Sequence, residues 1–151
     1  MSITIYVDAD ACPVKQEAIR VAERHGVKLI LVSNQWLRIP PSPVARMEVV
    51  PGGLDKADDW IAEHIGPTDI AITGDIPLAA RCLERGARVL NHTGKPFDAD
   101  SIGMALSMRE LNAHLRDLGE ISGAGPGFQK KDRSRFLNEL ENAIQALKRA
   151  G

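Results

Sequence analysis

The chain has 151 residues, 44% of them apolar and 26% charged, with a formal net charge of −1. Those values describe one domain spanning 1–151, long enough to bury a real core, and its balance gives no bulk pull toward nucleic acid or anionic membrane. No apolar run approaches membrane-spanning length, Cys12 and Cys82 make neither a CxxC pair nor a disulfide framework, and no basic leader precedes the acids at residue 8, so a cytoplasmic protein is expected.

Ile3-Thr4-Ile5-Tyr6-Val7 is an apolar run of β-formers that ends in Asp8-Ala9-Asp10. Such a run predicts a strand buried on both faces, as in a parallel α/β sheet. Pro13 suits an opening helical turn, Val14, Ala18, Val21, Ala22 and His25 recur at helical spacing, and Gly26 supplies a stop. Leu29 to Val32 predicts a second strand, ending at Ser33-Asn34. Pro40, Pro41 and Pro43 make the segment up to Arg46 a stiff loop. Met47 to Val50 predicts a third strand, and Gly52-Gly53 leads into a helix over 55–65.

Asp69 to Thr73 predicts a fourth strand, Gly74-Asp75 a helix ending at Gly86, and Arg88-Val89-Leu90 a fifth strand. Two C-terminal helices follow. Met104, Met108, Leu111, Leu115 and Leu118 stripe one; Phe136, Leu137, Leu140, Ile144 and Leu147 stripe the other. The glycine-rich run 119–127 follows no strand and lacks phosphate-loop spacing, so no nucleotide cofactor is expected. Strand–helix alternation predicts an α/β fold: a parallel sheet of about five strands flanked by helices. With strand order 3-2-1-4-5, the winding reverses between strands 1 and 4, where such sheets open their ligand crevice.

Asp8, Asp10 and Asp75 all come from the carboxyl ends of those two strands. Side chains two residues apart share a face while the chain is extended, and paired carboxylates repel unless a cation, a shared proton or water relieves them. Asp10 could instead cap the first helix, and Asp75 could cap its own. In the helix after Gly53, Leu54, Ala57, Ile61 and Ile65 define the inward stripe. Asp58 lies at its edge, Asp59 is the second choice, and Asp55 turns outward. Oxygen-only ligands suit Mg²⁺ or Mn²⁺, able to activate water against a phosphodiester. The four histidines lack metal-ligand spacing and read as surface or capping residues. Cys12 has no basic partner and reads as buried rather than nucleophilic. Trp36 either stacks on a nucleobase or anchors its own loop. Lys130, Lys131, Arg133 and Arg135 open the last helix as a candidate phosphate-binding rim, or as idle surface charge.

Val7-Asp8-Ala9-Asp10-Ala11-Cys12-Pro13, Ser33-Asn34, Ala57-Asp58-Asp59-Trp60-Ile61 and Thr73-Gly74-Asp75-Ile76-Pro77 resemble the bacterial YaiI/YqxD family. So do Gly125-Pro126-Gly127-Phe128 and Asp132-Arg133 with Phe136. That family is similar to PIN and NYN domains, whose clustered acids bind Mg²⁺ or Mn²⁺ to cleave RNA. The resemblance implies that Asp8 is the first-strand acid of those nucleases, Asp58 or Asp59 the mid-chain acid and Asp75 the acid after strand 4. With Asp10 added from its place at the strand end, the expected catalytic residues are Asp8, Asp10, Asp58 and Asp75. The expected metal ligands are these and Asp59, and the expected RNA contacts Ser33, Asn34 and the four C-terminal bases. Pro77 departs from the pattern where NYN nucleases carry another acid; Asp132 could replace it or cap the last helix. Two further readings stay open. Asp8-Ala9-Asp10 also resembles the nucleophile pair of haloacid-dehalogenase-type phosphatases, with Asp8 as nucleophile. A non-catalytic PIN-like module that binds RNA or protein is the other.

Overall fold

The computed structural model describes residues 2–10, 12–104 and 128–150. The expected glycine-rich connection at 119–127 and most of the stripe from Met108 to Leu118 lie outside them.

The elements run β1 (Thr4–Asp8), α1 (Lys15–His25), β2 (Lys28–Ser33), β3 (Ala45–Val49), α2 (Leu54–His64), β4 (Ile70–Ile72), α3 (Ile76–Glu84), β5 (Arg88–Leu90), β6 (Pro96–Phe97), a helical segment α4 over 99–104, and α5 (Lys130–Ala150). They form one six-stranded sheet in the order β3-β2-β1-β4-β5-β6. The first five strands are parallel, as expected. β6 is an addition: it turns back antiparallel to β5, pairing Val89 with Phe97 and Leu90 with Pro96. Two residues, one of them proline, are too short to show a period, and Pro96 is tolerated because it opens an edge strand.

β1 is central because it is apolar on both faces, with Ile5, Tyr6 and Val7 all buried. Alternation divides its side chains between two cores. Ile5 and Val7 face a layer built from α1 and α5, through Ala18, Val21, Phe136, Leu140 and Ile144. Tyr6 faces the opposite layer, built from α2, α3 and α4, through Ala57, Ile61, Leu78, Cys82 and Ile102. The C-terminal stripe is thus a core seam.

Gly26 ends α1 in the left-handed region at φ 66°, its amide donating to the carbonyls of Ala22 and Glu23. α5 runs parallel to α1. Arg133 in its first turns lies 3.2 Å from Glu17 near the start of α1, while Glu141 meets Arg24 and His25 at the end of α1. The start of α5 also closes tightly over the turn after β5. A Cβ on Gly94 would stand 2.5 Å from the Phe136 backbone nitrogen, and its φ of 87° already favours glycine.

Candidate functional site

Chain direction sets the site. From β1 the chain winds out to β3, then α2 carries it across to β4 on the other side of β1. The carboxyl ends of β1 and β4 therefore adjoin where the winding reverses. Asp8 is the last residue of β1 and shares the parity of Tyr6, so it faces the α2–α3 layer.

Thr73, just past β4 and fully buried, is the hub on that side. Its Oγ1 donates to Asp8 Oδ2 at 2.8 Å and accepts from the Asp75 amide at 2.9 Å. Asp75 caps α3, with Oδ1 accepting from the Leu78 amide at 3.0 Å. The helix N-terminus favours that negative charge. Pro77, in the first turn of α3, lacks only an amide that such a turn leaves unpaired.

Asp10 is held differently. The chain leaves the strand after Asp8, so shared parity no longer applies. Ser33 Oγ donates to Asp10 Oδ1 at 2.7 Å and accepts from the Gln35 amide at 3.2 Å. The two carboxylates of Asp-Ala-Asp are thus tied to residues at the ends of strands on opposite sides of β1. Asp10 does not cap α1, whose N-cap position is Val14 with no side-chain bond. The buried Ser33 hydroxyl is engaged with Asp10, while Asn34 sits half-buried at the rim.

The electrostatics pick out two acids. Burial, then the charges of Asp75 and Asp10, pushes Asp8 up to about 6 against the opposing Thr73 hydrogen bond. Burial, then the charges of Asp8, Asp75 and Asp55, pushes Asp58 up to about 7, opposed by Arg81. Asp58 on α2 therefore feels the charge of both Asp8 and Asp75. Asp59, one residue on, points away: it pairs with Arg81 at 2.8 Å and is 44% exposed.

Asp8, Asp10 and Asp75 each use one carboxylate oxygen in these bonds. Among the described residues, no three His, Cys, Asp or Glu side chains stand as a preassembled cation cage. The donor set nonetheless fits a hard divalent ion: carboxylate oxygens, and two acids whose ionisation is opposed by burial and like charge.

Sequence reasoning did not single out His92. It is not a surface residue: Nε2 is buried with no hydrogen-bond partner among the described residues. Its ring lies against the backbone joining Thr73 to Asp75, where a Cβ on Gly74 would stand 3.4 Å from Cε1. Burial, then the Lys15 charge, lowers its pKa, favouring the neutral ring. A lone histidine in a turn carries no spacing signal. Cys12 is buried, and burial pushes its thiol up to about 11, which removes it as a nucleophile.

The C-terminal bases start from the same end of the sheet, because α5 begins beside the turn at Gly94. Arg133 is engaged with Glu17 and stacks 5.8 Å above Phe128. Lys130, Lys131 and Arg135 are exposed and make no ion pair among the described residues. Asp132 accepts from the Gln129 amide at 2.8 Å, a local bond at the start of α5.

Residues 6–146 match the model of the uncharacterised YaiI/YqxD family. The chain belongs to the YaiI/YqxD family. A relative from Parvibaculum lavamentivorans is 61% identical over 145 residues, covering 96% of this chain and 95% of its own. One from Rhodospirillum rubrum is 57% identical, covering 96% and 97%; one from Caulobacter vibrioides is 49% identical, covering 99% and 98%. All three are named UPF0178 proteins, which assigns no activity. No solved structure matches the chain significantly.

Proposed function

We propose that this YaiI/YqxD protein is a PIN-like, Mg²⁺- or Mn²⁺-dependent nuclease acting on RNA. The observation that carries the reading is the placement of Asp8 and Asp75 at the adjoining strand ends of the winding reversal, tied through Thr73. Asp8 is driven upward by burial and the charges of Asp75 and Asp10, and Asp58 by burial and the charges of Asp8, Asp75 and Asp55. Isolated buried acids would simply be a cost to the fold, whereas a cation would offset that repulsion. Asp8, Asp58 and Asp75 would hold the ion, with Asp10 reaching it through the oxygen that Ser33 leaves free.

A bound divalent cation supplies polarisation of a phosphoryl oxygen and a more acidic water. The protein's own part is positional. Thr73 fixes Asp8, Ser33 fixes Asp10, and the Leu78 amide at the start of α3 fixes Asp75.

The test is cleavage of single-stranded RNA by the purified protein with Mn²⁺. Activity should require the metal and disappear in Asp8→Asn and in Asp75→Asn, which keeps a good helix cap while removing the charge. Asp59→Asn should stay active. Hydrolysis of a phosphate monoester with phosphate trapped on Asp8, and intact RNA, would transfer the chain to the phosphatases.

A further inference from the structure

Trp36 is 68% exposed, although an indole is among the costliest side chains to leave in water. The chain's other tryptophan, Trp60, stacks on His64 at 3.8 Å and contacts Tyr6. Trp36 has no anchoring role in its loop. From Trp36 to Pro40 exposure alternates, with Leu37 and Ile39 half-buried against the α1–α5 core and Trp36, Arg38 and Pro40 outward. That alternation marks an extended segment whose inward residues hold it down. Pro40, Pro41 and Pro43 stiffen it, so little order has to be gained on binding.

The segment leaves β2 directly at Ser33, the residue that holds Asp10. Three residues of chain span at most about 10 Å, so Trp36 stays within about that distance of Ser33, which holds Asp10. Arg38, two residues further along the same outward edge, is about 6.5 Å from it along an extended chain. A groove between the starts of α1 and α5, the two helices whose core Leu37 and Ile39 pack against, is lined by Lys15, Arg20 and Arg133, with Glu17 as its acid.

From this placement we infer that Trp36 and Arg38 form a binding subsite for single-stranded RNA, Trp36 stacking on an unpaired base and Arg38 holding an adjacent phosphate. The substrate class rests on the nuclease reading; the subsite itself requires only that RNA binds. Double-stranded RNA, whose bases are already stacked, has no free face to offer the indole.

The experiment uses the full chain in EDTA, so that RNA is bound and not cut, with a labelled oligouridylate and a duplex of equal length as probes. Trp36→Ala should weaken oligouridylate binding roughly 5- to 100-fold and leave the duplex nearly unchanged. Arg38→Gln should reduce the single-strand salt slope by about 0.7. In a Trp60→Phe background, Trp36 fluorescence should be quenched by oligouridylate. Circular dichroism checks that the variants remain folded. Equal oligouridylate affinity in Trp36→Ala and wild type, or no oligouridylate binding by the wild type at low salt, would overturn the subsite. RNA that binds through Trp36 but survives Mn²⁺ would leave the subsite standing and sink the nuclease. RNA cleaved with no effect of Trp36→Ala on binding would do the reverse.

Discussion

Asp8→Asn should stabilise the metal-free protein near neutral pH while removing its response to metal. In the fold, Asp8 is pushed from 3.8 up to about 6, mainly by burial. A rise of that size corresponds to about 3 kcal/mol of preference for the protonated carboxyl. The folded state holds the Asp8 proton more tightly than the unfolded chain does. Its contribution is therefore fully present below about pH 3.8 and lost as pH rises through about 6. Integrating between about pH 4 and about pH 7.5 gives a loss of about 2 kcal/mol, which asparagine, with no proton to lose, escapes. Asparagine can still accept from Thr73, and any fixed cost of burying its amide cancels in the comparison between pH values. Urea unfolding in chelator, followed by circular dichroism, should show the variant gaining about 2 kcal/mol on wild type over that pH interval. With Mn²⁺ at about a hundred times its dissociation constant, wild type should recover about 2.7 kcal/mol and the variant much less. A variant–wild-type difference that stays flat with pH would refute the burial argument. Equal stabilisation of both proteins by Mn²⁺ would refute the assignment of Asp8 as a ligand.

Asp58→Asn should lower Mn²⁺ affinity in calorimetry by tenfold or more, whereas Asp59→Asn should leave it unchanged and alter stability by less than about 1 kcal/mol, as expected for an exposed pair with Arg81. Replacing Lys130, Lys131 and Arg135 together by glutamine should reduce the salt slope of RNA binding by about two units without changing metal affinity; an unchanged slope would make them idle surface charge. Gly94→Ala should destabilise by more than about 2 kcal/mol on urea unfolding, because its methyl would meet the Phe136 backbone at a φ suited to glycine. Cys12 and Cys82, buried and with thiols pushed up to about 11 and about 12, should react with a thiol reagent only on unfolding; rapid labelling of the native protein would contradict their burial.

The parallel order 3-2-1-4-5 was legible because β1, β2 and β4 are short apolar runs and helical patterns separate the strands, except between β2 and the half-exposed β3, where prolines mark a loop. β6 was not, since Pro96–Phe97 gains its identity only from pairing with β5. The acids were legible as positions at strand ends. Their partners were not: Thr73 with Asp8 and Ser33 with Asp10 are contacts across the sheet that no local pattern encodes. The helical phase favoured Asp58 over Asp59 because α2 starts one residue from its expected position and Ala57, Ile61 and Ile65 are buried as expected. The Arg133–Glu17 pair depends on where α5 docks, and the place of His92 on how the turn after β5 lies against Gly74; both are set by tertiary packing rather than by any neighbouring sequence.

The docking of α5 also has a consequence for synthesis on the ribosome. β1 is made before its partners, yet Ile5 must await Ile70 to pair on its β4 side, and Ile5, Val7, Leu29 and Leu31 have only α1 of their two covering helices until Phe136, Leu140 and Ile144 emerge. Until then the nascent chain presents a half-covered apolar sheet face to other chains and to chaperones. Docking of α5 completes that cover, so a chain halted before residue 130 keeps part of this core face open to association with other chains.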